Sequence, residues 1–327
     1  MNQHFPTYKR KKLIKAQAQT NPYYGKPPLQ RTIPELLQTG IINLDKPAGP
    51  TSHQVTAWTK NILNIHKIGH GGTLDPNVTG VLPIALSTAT KILGILHHVS
   101  KEYVCVMKLH QSTPEKKIIE TCNQFIGEIT QIPPREAAVK RQKRQRTIHY
   151  LHILEIKGNK VLFKAGCQAG TYIRTLCTDI GKKLATGAHM DELRRTKSGL
   201  FTEKDSYTLQ NILDAYHFWK NDSSQDLKKI IQPVEALLDH LSAITVRDSA
   251  IDALCHGANL AMPGVLQVDT GITTGDIIVI NSLKGEGVAL AKALMPTRDI
   301  IQKDKGIVAD TTRVIMKKGT YPSIWKS

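Results

Sequence analysis

The sequence has little cysteine, and its cysteines follow no recognisable pattern. The five that are present are an odd number, and none lies in a C-x-x-C pair. A disulfide framework and a zinc knuckle both need paired or regularly spaced cysteines, so neither is predicted. The absence of a disulfide pattern favours a reducing, intracellular compartment.

Long apolar segments are also missing. The N-terminus reads MNQHFPTYKRKK, without an apolar run after its charges, so no secretory signal is predicted. The most apolar stretch, residues 81–99, is interrupted by Pro83, Lys91, His97 and His98. A membrane span needs about 20 predominantly apolar residues. We therefore expect a soluble protein without a membrane partner.

Acidic residues are scarce relative to basic ones. Among 327 residues, 44 are Lys or Arg and 27 are Asp or Glu, which gives a net charge of +17. This balance indicates a polyanionic partner, with nucleic acid as the first candidate and an acidic membrane surface as the second. The apolar fraction of 40% is sufficient for a sizeable core, which argues against a disordered chain.

Several motifs of cofactor chemistry are absent as well. The thirteen histidines form no H-E-x-x-H pattern, and no G-x-x-x-x-G-K-[ST] or G-x-S-x-G motif occurs. These absences give no support to a metal cluster, a nucleotide P-loop or a serine nucleophile. The sequence predicts neither a metal nor a cofactor.

Changes in composition along the chain suggest three segments. Residues 1–40 form a basic, proline-punctuated extension, and residues 41–240 alternate helical and strand patterns. Residues 241–327 contain short β-rich runs separated by glycine turns, which is typical of a small barrel. The length suits roughly two folded domains.

Local patterns predict individual elements. Thr51 and Gln54 have the spacing of a capping box at the start of a helix. Thr171 is a plausible N-cap for a later helix. The other predicted elements are helices over 52–65 and 87–97, a strand over 103–109, and a hairpin of 151–156 and 161–166 around Gly158-Asn159.

Two loops contain candidate functional residues. Asp75 lies in GHGGTLDP, where glycines allow a ligand to approach the backbone closely. The simpler interpretation is that Asp75 caps a turn, which is the usual role of an isolated Asp-Pro. Tyr172 and Arg174 lie in GTYIRT at a predicted junction of hairpin and helix, where a core Tyr and a surface Arg are the simpler alternative.

A dense run of cations is a third candidate. It occupies AVKRQKRQR and consists of Lys140, Arg141, Lys143, Arg144 and Arg146. Such runs are usually solvated helix faces. With the strongly positive net charge, a surface that contacts phosphates is at least as good an interpretation.

Six motifs, in this order, resemble the pseudouridine synthases of the bacterial TruB and dyskerin group. They are DKPAGPTSH (45–53), GHGGTLDPNVTGVLP (69–83), KEYV (101–104), PPREAAVKR (133–141), AGTYIRTL (169–176) and GAHMDELRRTKSG (187–199). The block from 69 to 83 is highly specific. The resemblance covers most of residues 40–240, and residues 241–327 resemble the RNA-binding PUA domain. It implies an α+β protein with a mixed, largely antiparallel sheet and flanking helices, followed by a small β-barrel-like domain.

The resemblance also implies the activity and the residues that support it. Enzymes of this group isomerise uridine in RNA to pseudouridine, without a cofactor. Asp75 matches the essential carboxylate, acting as nucleophile or base, and Arg174 matches the arginine that pairs with it. Tyr103 and Tyr172 match aromatic residues around the flipped base. His70 matches a loop histidine that displaces the base or binds its phosphate. Lys46 belongs to a motif that buttresses the catalytic loop, and we also count it among the candidate RNA-binding residues.

Within the group, the chain is most similar to the dyskerin-type catalytic subunit of H/ACA ribonucleoproteins, in an archaeal-like form without long lysine-rich tails. This predicts H/ACA guide RNA, substrate rRNA or tRNA and small ribonucleoprotein subunits as partners. The location would be the cytoplasm, or the nucleolus in a eukaryote. A stand-alone tRNA enzyme acting at position 55 of the T loop and a non-catalytic RNA scaffold remain as alternatives. Leu200 and Glu136 depart from the residues common in relatives, without touching a catalytic assignment.

Overall fold

A computed structural model of the chain describes residues 10–134, 140 and 142–323. The strands are β1 Lys12–Ile14, β2 Gly40–Lys46, β3 Ile68–His70, β4 Thr79–Leu86, β5 Lys101–Leu109, β6 Gly127–Gln131, β7 Arg144–Lys157, β8 Lys160–Cys167, β9 Ala188–Ser198, β10 Phe201–Thr202, β11 Ile231–Pro233, β12 Ser242–Val246, β13 Leu260–Ala261, β14 Val265–Asp269, β15 Ile277–Asn281, β16 Gly287–Ala293 and β17 Ile307–Val314. The helices are α1 Ile33–Thr39, α2 Ser52–Ile62, α3 Glu115–Asn123, α4 Ile173–Lys183, α5 Leu209–Asp222, α6 Asp226–Ile230, α7 Asp248–Cys255 and α8 Thr297–Gln302.

The strands form two sheets. The larger sheet has the order β11-β2-β4-β9-β5-β8-β7-β6, with β3 beside β4 and β10 beside β9. Its pairs are antiparallel except β4 with β9. The smaller sheet has the order β1-β14-β12-β15-β16-β17-β13, and its one parallel pair is β12 with β15. The predicted α+β class with a mixed, largely antiparallel sheet is confirmed.

Two of the core clusters position the large sheet and its helices. One packs α1, α2, α5 and α6 against β2 and β4. The other packs α3 and α4 against β5, β7 and β8. Tyr103 on β5 packs against both clusters. Because Tyr103 joins the two clusters, α2 and α4 pack on one continuous core. Helix α2 lies next to the loop that contains Asp75, and α4 begins at the loop that contains Tyr172.

Several predicted local elements are confirmed, because their signals lie within a few residues. The Thr51 side chain accepts a hydrogen bond from the Gln54 backbone, and the reciprocal bond completes the predicted capping box of α2. The hairpin of β7 and β8 turns at Gly158, whose φ is +60°. That left-handed conformation is accessible to glycine without a steric penalty.

The predicted helix over residues 87–97 is present, whereas the predicted cap of α4 differs from the structure. Residues Ser87–His97 form successive 3₁₀ turns, and the segment starts at Ser87 with a φ of +42°. Its buried residues, Ala89, Ile92 and Leu96, are three and four residues apart. The N-cap of α4 is Tyr172 rather than Thr171. The Thr171 hydroxyl instead donates to the Gln168 carbonyl at 2.7 Å.

Residues 10–39, which we assigned to a basic extension, contact both sheets. Strand β1 pairs with β14 of the smaller sheet, and α1 packs into the core of the larger one. Arg10 donates to the carbonyls of His240 and Leu241 at the junction of the sheets. A further core cluster includes Ile41 and Val81 of the larger sheet together with Val279 of the smaller sheet. The division at residues 40 and 240 stays a prediction.

An ion pair between Arg31 and Glu235 also connects residues 10–39 to the region where the two sheets meet. The guanidinium donates two hydrogen bonds of 2.7 Å to the carboxylate, and each side chain is 13% exposed. Glu235 also accepts from the Gly287 backbone at 2.9 Å. Arg31→Met leaves a largely buried carboxylate without its cation, so we expect the free energy of unfolding in urea to fall by about 3 kcal/mol.

A matched control uses the half-exposed pair of Lys26 and Glu35, at 2.7 Å. Lys26→Met should lower the free energy of unfolding by less than about 1 kcal/mol, because water screens an exposed ion pair. Equal losses in the two variants would contradict the importance of burial at Arg31.

Candidate active site

The two candidate loops meet through Asp75 and Arg174. Asp75 lies between β3 and β4, and Arg174 lies in the first turn of α4, 99 residues later. The Arg174 Nη2 donates to the Asp75 carboxylate at 2.5 Å, and the two side chains are about half exposed. A carboxylate held by a guanidinium at an open surface is oriented and also reachable by a substrate. The structure brings together the pair that the resemblance implies.

Lys46 supports the loop that contains Asp75 from its buried side. The Lys46 ammonium donates to the carbonyls of Pro47, Pro76 and Val78 at 2.8, 2.7 and 3.0 Å. The residue has no exposed surface, and burial lowers the pKa of its ammonium. Lys46 has no solvent-exposed surface in this structure, and its RNA contact stays a prediction. Its position agrees with the other interpretation, a buttress of the loop.

Ser52 supports the same loop from the first turn of α2. Its hydroxyl donates to the Leu74 carbonyl at 2.9 Å and accepts from the Leu74 backbone N–H at 2.8 Å. Ser52 is buried, so these two bonds satisfy polar groups that have no access to water. Leu74 is thereby fixed immediately before Asp75. Ser52 lies in the motif DKPAGPTSH, but the sequence alone does not indicate its role.

Arg195 is a second residue whose role is not apparent from the sequence. It is 2% exposed, and its guanidinium donates to the carbonyls of Val81 at 2.7 Å and Gly72 at 3.1 Å. Gly80 makes room for the strand of Arg195, because a Cβ there would lie 2.2 Å from the Arg195 carbonyl oxygen. From sequence, Arg195 is one of several cations near the end of the domain, and nothing local signals its burial.

Tyr103 and Tyr172 lie on different elements near this pair. Tyr103 is on β5, where burial raises the pKa of its phenol. Tyr172 is half-buried, and its backbone is held by Gln131 at the end of β6. The structure thus places Tyr172 two residues before Arg174, at the start of the same helix.

His70 lies at the end of β3, on the approach to Asp75. Its ring contacts that of His53 edge to face, with centroids 4.9 Å apart. Burial, reinforced by nearby His53 and Arg195, lowers the pKa of His70 to about 4. The imidazole is therefore neutral at physiological pH and acts through hydrogen bonds rather than as a cation. Its buried Nδ1 has no hydrogen-bond partner among the residues described.

The cationic run lies on a strand and the loop before it. Lys140 and Lys143 are exposed, while Arg144 and Arg146 begin β7, so the solvated-helix interpretation is wrong for that part. Arg141 lies outside the described residues. A Cβ added at Gly170 would be 3.1 Å from the Arg146 guanidinium, which places Arg146 beside the loop that precedes Tyr172.

The structure reveals neither a metal site nor a membrane span in the part of the chain that it describes. No group of three or more His, Cys, Asp or Glu side chains there could hold a metal ion together. Among the same residues, no helix is long and apolar enough to cross a membrane.

Known protein families match nearly the whole chain. Residues 60–173 match the N-terminal domain of the TruB family pseudouridylate synthases, and residues 174–239 match the C-terminal domain of tRNA pseudouridylate synthase B. Residues 242–315 match the PUA domain, and residues 4–56 match the DKCLD (NUC011) domain.

Full-length relatives and solved structures agree with these matches. Proteins described as probable tRNA pseudouridine synthase B are 52% identical in Methanopyrus kandleri, over 97% of this chain and 94% of the relative, and 51% identical in Methanocaldococcus jannaschii, over 97% and 95%. A chain in an H/ACA RNP bound to a substrate RNA containing 2′-deoxyuridine has 48% identity and a TM-score of 0.92, with 98% of each chain covered. A chain of a Cbf5-Nop10-Gar1 complex has 50% identity and a TM-score of 0.92, with 97% of each chain covered.

The fold and the matched families define the class of the protein as a pseudouridine synthase, an isomerase that acts on RNA. More specifically, the chain belongs to the TruB family of pseudouridylate synthases and includes a PUA domain.

Proposed function

We propose that the protein isomerises uridines in rRNA as the catalytic subunit of an H/ACA ribonucleoprotein, with a guide RNA selecting the target. The observation that supports this most strongly is the mutual 98% coverage, at a TM-score of 0.92, with a chain of an H/ACA RNP bound to substrate RNA. The similarity therefore extends over nearly all of both compared chains, including the catalytic and PUA regions. Small ribonucleoprotein subunits would be further partners, and the cytoplasm of an archaeal cell would be the location.

In this proposal Asp75 is the reacting carboxylate. Pseudouridine formation breaks the C1′–N1 bond of uridine and rejoins the base through C5, so it requires no net oxidation and no external energy. A carboxylate contributes either as nucleophile or as base. The 2.5 Å contact from Arg174 would hold the Asp75 side chain in one orientation towards the entering nucleotide.

The surrounding residues would hold the RNA. Tyr103 and Tyr172 would stack on the flipped base, which offsets part of the few kcal/mol that unstacking costs. Neutral His70 would help to displace the base. Lys140, Lys143 and Arg146 would contact phosphates, together with Arg144 and the Arg141 of the same run, and the PUA domain would bind the guide RNA.

A second candidate function is stand-alone modification of tRNA at position 55. The names of the relatives, probable tRNA pseudouridine synthase B, favour it. The chemistry at Asp75 would be the same, so the two candidates differ in the RNA and in the need for a guide.

Incubation of the protein with a labelled rRNA fragment and with a labelled tRNA distinguishes these two candidate functions. We expect pseudouridine in an rRNA fragment only when a matching H/ACA guide RNA is added, and a guide with mismatched pairing arms serves as the control. Because phosphate contacts release counterions, guide affinity should fall steeply with salt. Guide-independent modification of tRNA, with no guided modification of rRNA, would instead establish the second candidate.

A further inference from the structure

The side chain of Gln131 binds both backbone polar groups of Tyr172. Its Nε2 donates to the Tyr172 carbonyl at 3.0 Å, and its Oε1 accepts from the Tyr172 N–H at 3.0 Å. Gln131 is 2% exposed, so water does not compete for these bonds. The carboxamide thus makes the reciprocal pair of bonds that one strand residue makes with another across an antiparallel sheet.

We call this pair of hydrogen bonds the Gln131 clamp. Because α4 begins at Tyr172, the clamp also fixes the start of that helix. Tyr172 is the N-cap residue of α4 and has no side-chain cap, and its carbonyl also accepts the Leu176 N–H at 3.0 Å. The first N–H groups of a helix lack partners within the helix, so the entry of the chain must be fixed by other groups. Arg174 is the second residue of this helix, and the position of its guanidinium therefore depends on where Tyr172 is held.

Gln131 also connects this helix to the cationic run. It is the last residue of β6 and is paired with Arg144 at the start of β7. The segment that contains Lys140 and Lys143 leaves the sheet between these two residues. One buried amide thus ties the base of the proposed phosphate-binding segment to the start of α4.

We propose that Gln131 is a positioning residue for pseudouridine formation. It does not touch the uridine, and it acts by fixing Tyr172 and, through the first turn of α4, the Arg174 that orients Asp75. This inference rests on the proposed roles of Asp75 and Arg174. A displacement of a catalytic group by about 1 Å can reduce the rate about 100-fold, which makes a buried clamp at this point effective.

Two substitutions test the clamp. In Gln131→Glu, a protonated carboxyl can still donate to the Tyr172 carbonyl and accept from its N–H, whereas an ionised carboxylate can only accept. We expect the single-turnover rate to approach that of the wild type at low pH and to fall about 10- to 100-fold as pH rises and the carboxyl ionises. In Gln131→Met, which has a similar length and neither polar group, the rate should be low at every pH.

The pH profile separates this role from a general structural one. The cations on the adjoining elements are Arg144 on β7 and Arg174 on α4, and both are present in each variant. The introduced carboxyl is therefore the group whose titration distinguishes the two variants. The affinity for substrate RNA, measured by filter binding, should fall much less than the single-turnover rate, because the clamp acts mainly on the position of Arg174 in the chemical step.

Gln210→Glu is the matched control, because Gln210 is an exposed glutamine on α5 that bonds Asp214 at 2.7 Å. It should keep the wild-type rate and pH profile. The proposal is overturned if the methionine variant reacts like the wild type, or if the glutamate variant loses activity equally at every pH. Should the glutamate variant unfold, the methionine variant decides, through a single-turnover rate that falls much more than the RNA affinity. A wild-type protein that forms no pseudouridine would refute the proposed function itself, which is a separate outcome.

Discussion

Asp75→Asn should abolish pseudouridine formation while leaving RNA affinity nearly unchanged. The carboxamide keeps the size of the side chain and an oxygen that can accept from Arg174, so the loop should keep its shape. It removes the negative charge and with it both the nucleophile and the base. Single-turnover conversion of a labelled uridine, scored after nuclease digestion and chromatography, measures the loss. Filter binding of the same RNA measures the affinity.

The matched control for this result is Asp304→Asn, at an exposed carboxylate 3.9 Å from Lys15 in the region of the smaller sheet. The control should react at the wild-type rate. Turnover of more than a trace by the Asp75 variant would show that another group carries out the reaction.

Arg174→Ala should reduce the single-turnover rate about 100- to 1,000-fold, which is the typical effect of removing one preorganised donor from an active site. Its loss releases the Asp75 carboxylate from the 2.5 Å contact that orients it. Arg174→Lys should recover part of the rate, because an ammonium restores the charge but not the planar fork of donors. RNA affinity should change less than the rate in both variants.

Lys182→Ala serves as the control for this helix. Lys182 lies in the last turn of α4, is mostly exposed and pairs with Asp179 at 3.4 Å. Its removal should leave the rate unchanged. Wild-type turnover by both Arg174 variants would mean that the pair with Asp75 has no part in the reaction.

Local elements were predictable where their causes lie within one turn. The capping box of Thr51 and Gln54 and the turn at Gly158 each depend on a few adjacent residues, and both occur as expected. The predicted helix at Ser87–His97 is also present, as 3₁₀ turns, a type that the residue pattern did not specify. Thr171 has the residue type of an N-cap for α4, but its hydroxyl donates to the Gln168 carbonyl instead.

The sequence by itself determined the family, the fold class and the candidate catalytic carboxylate, because the motif around Asp75 is specific and continuous in the chain. Only the tertiary structure decided which charged side chains face the solvent. Lys46 and Arg195 look like surface cations, but three carbonyls surround the first and two accept from the second. The Gln131 clamp joins residues 41 positions apart. Burial and pairing at that separation depend on how β-strands and helices pack, and no local pattern of residue types specifies them.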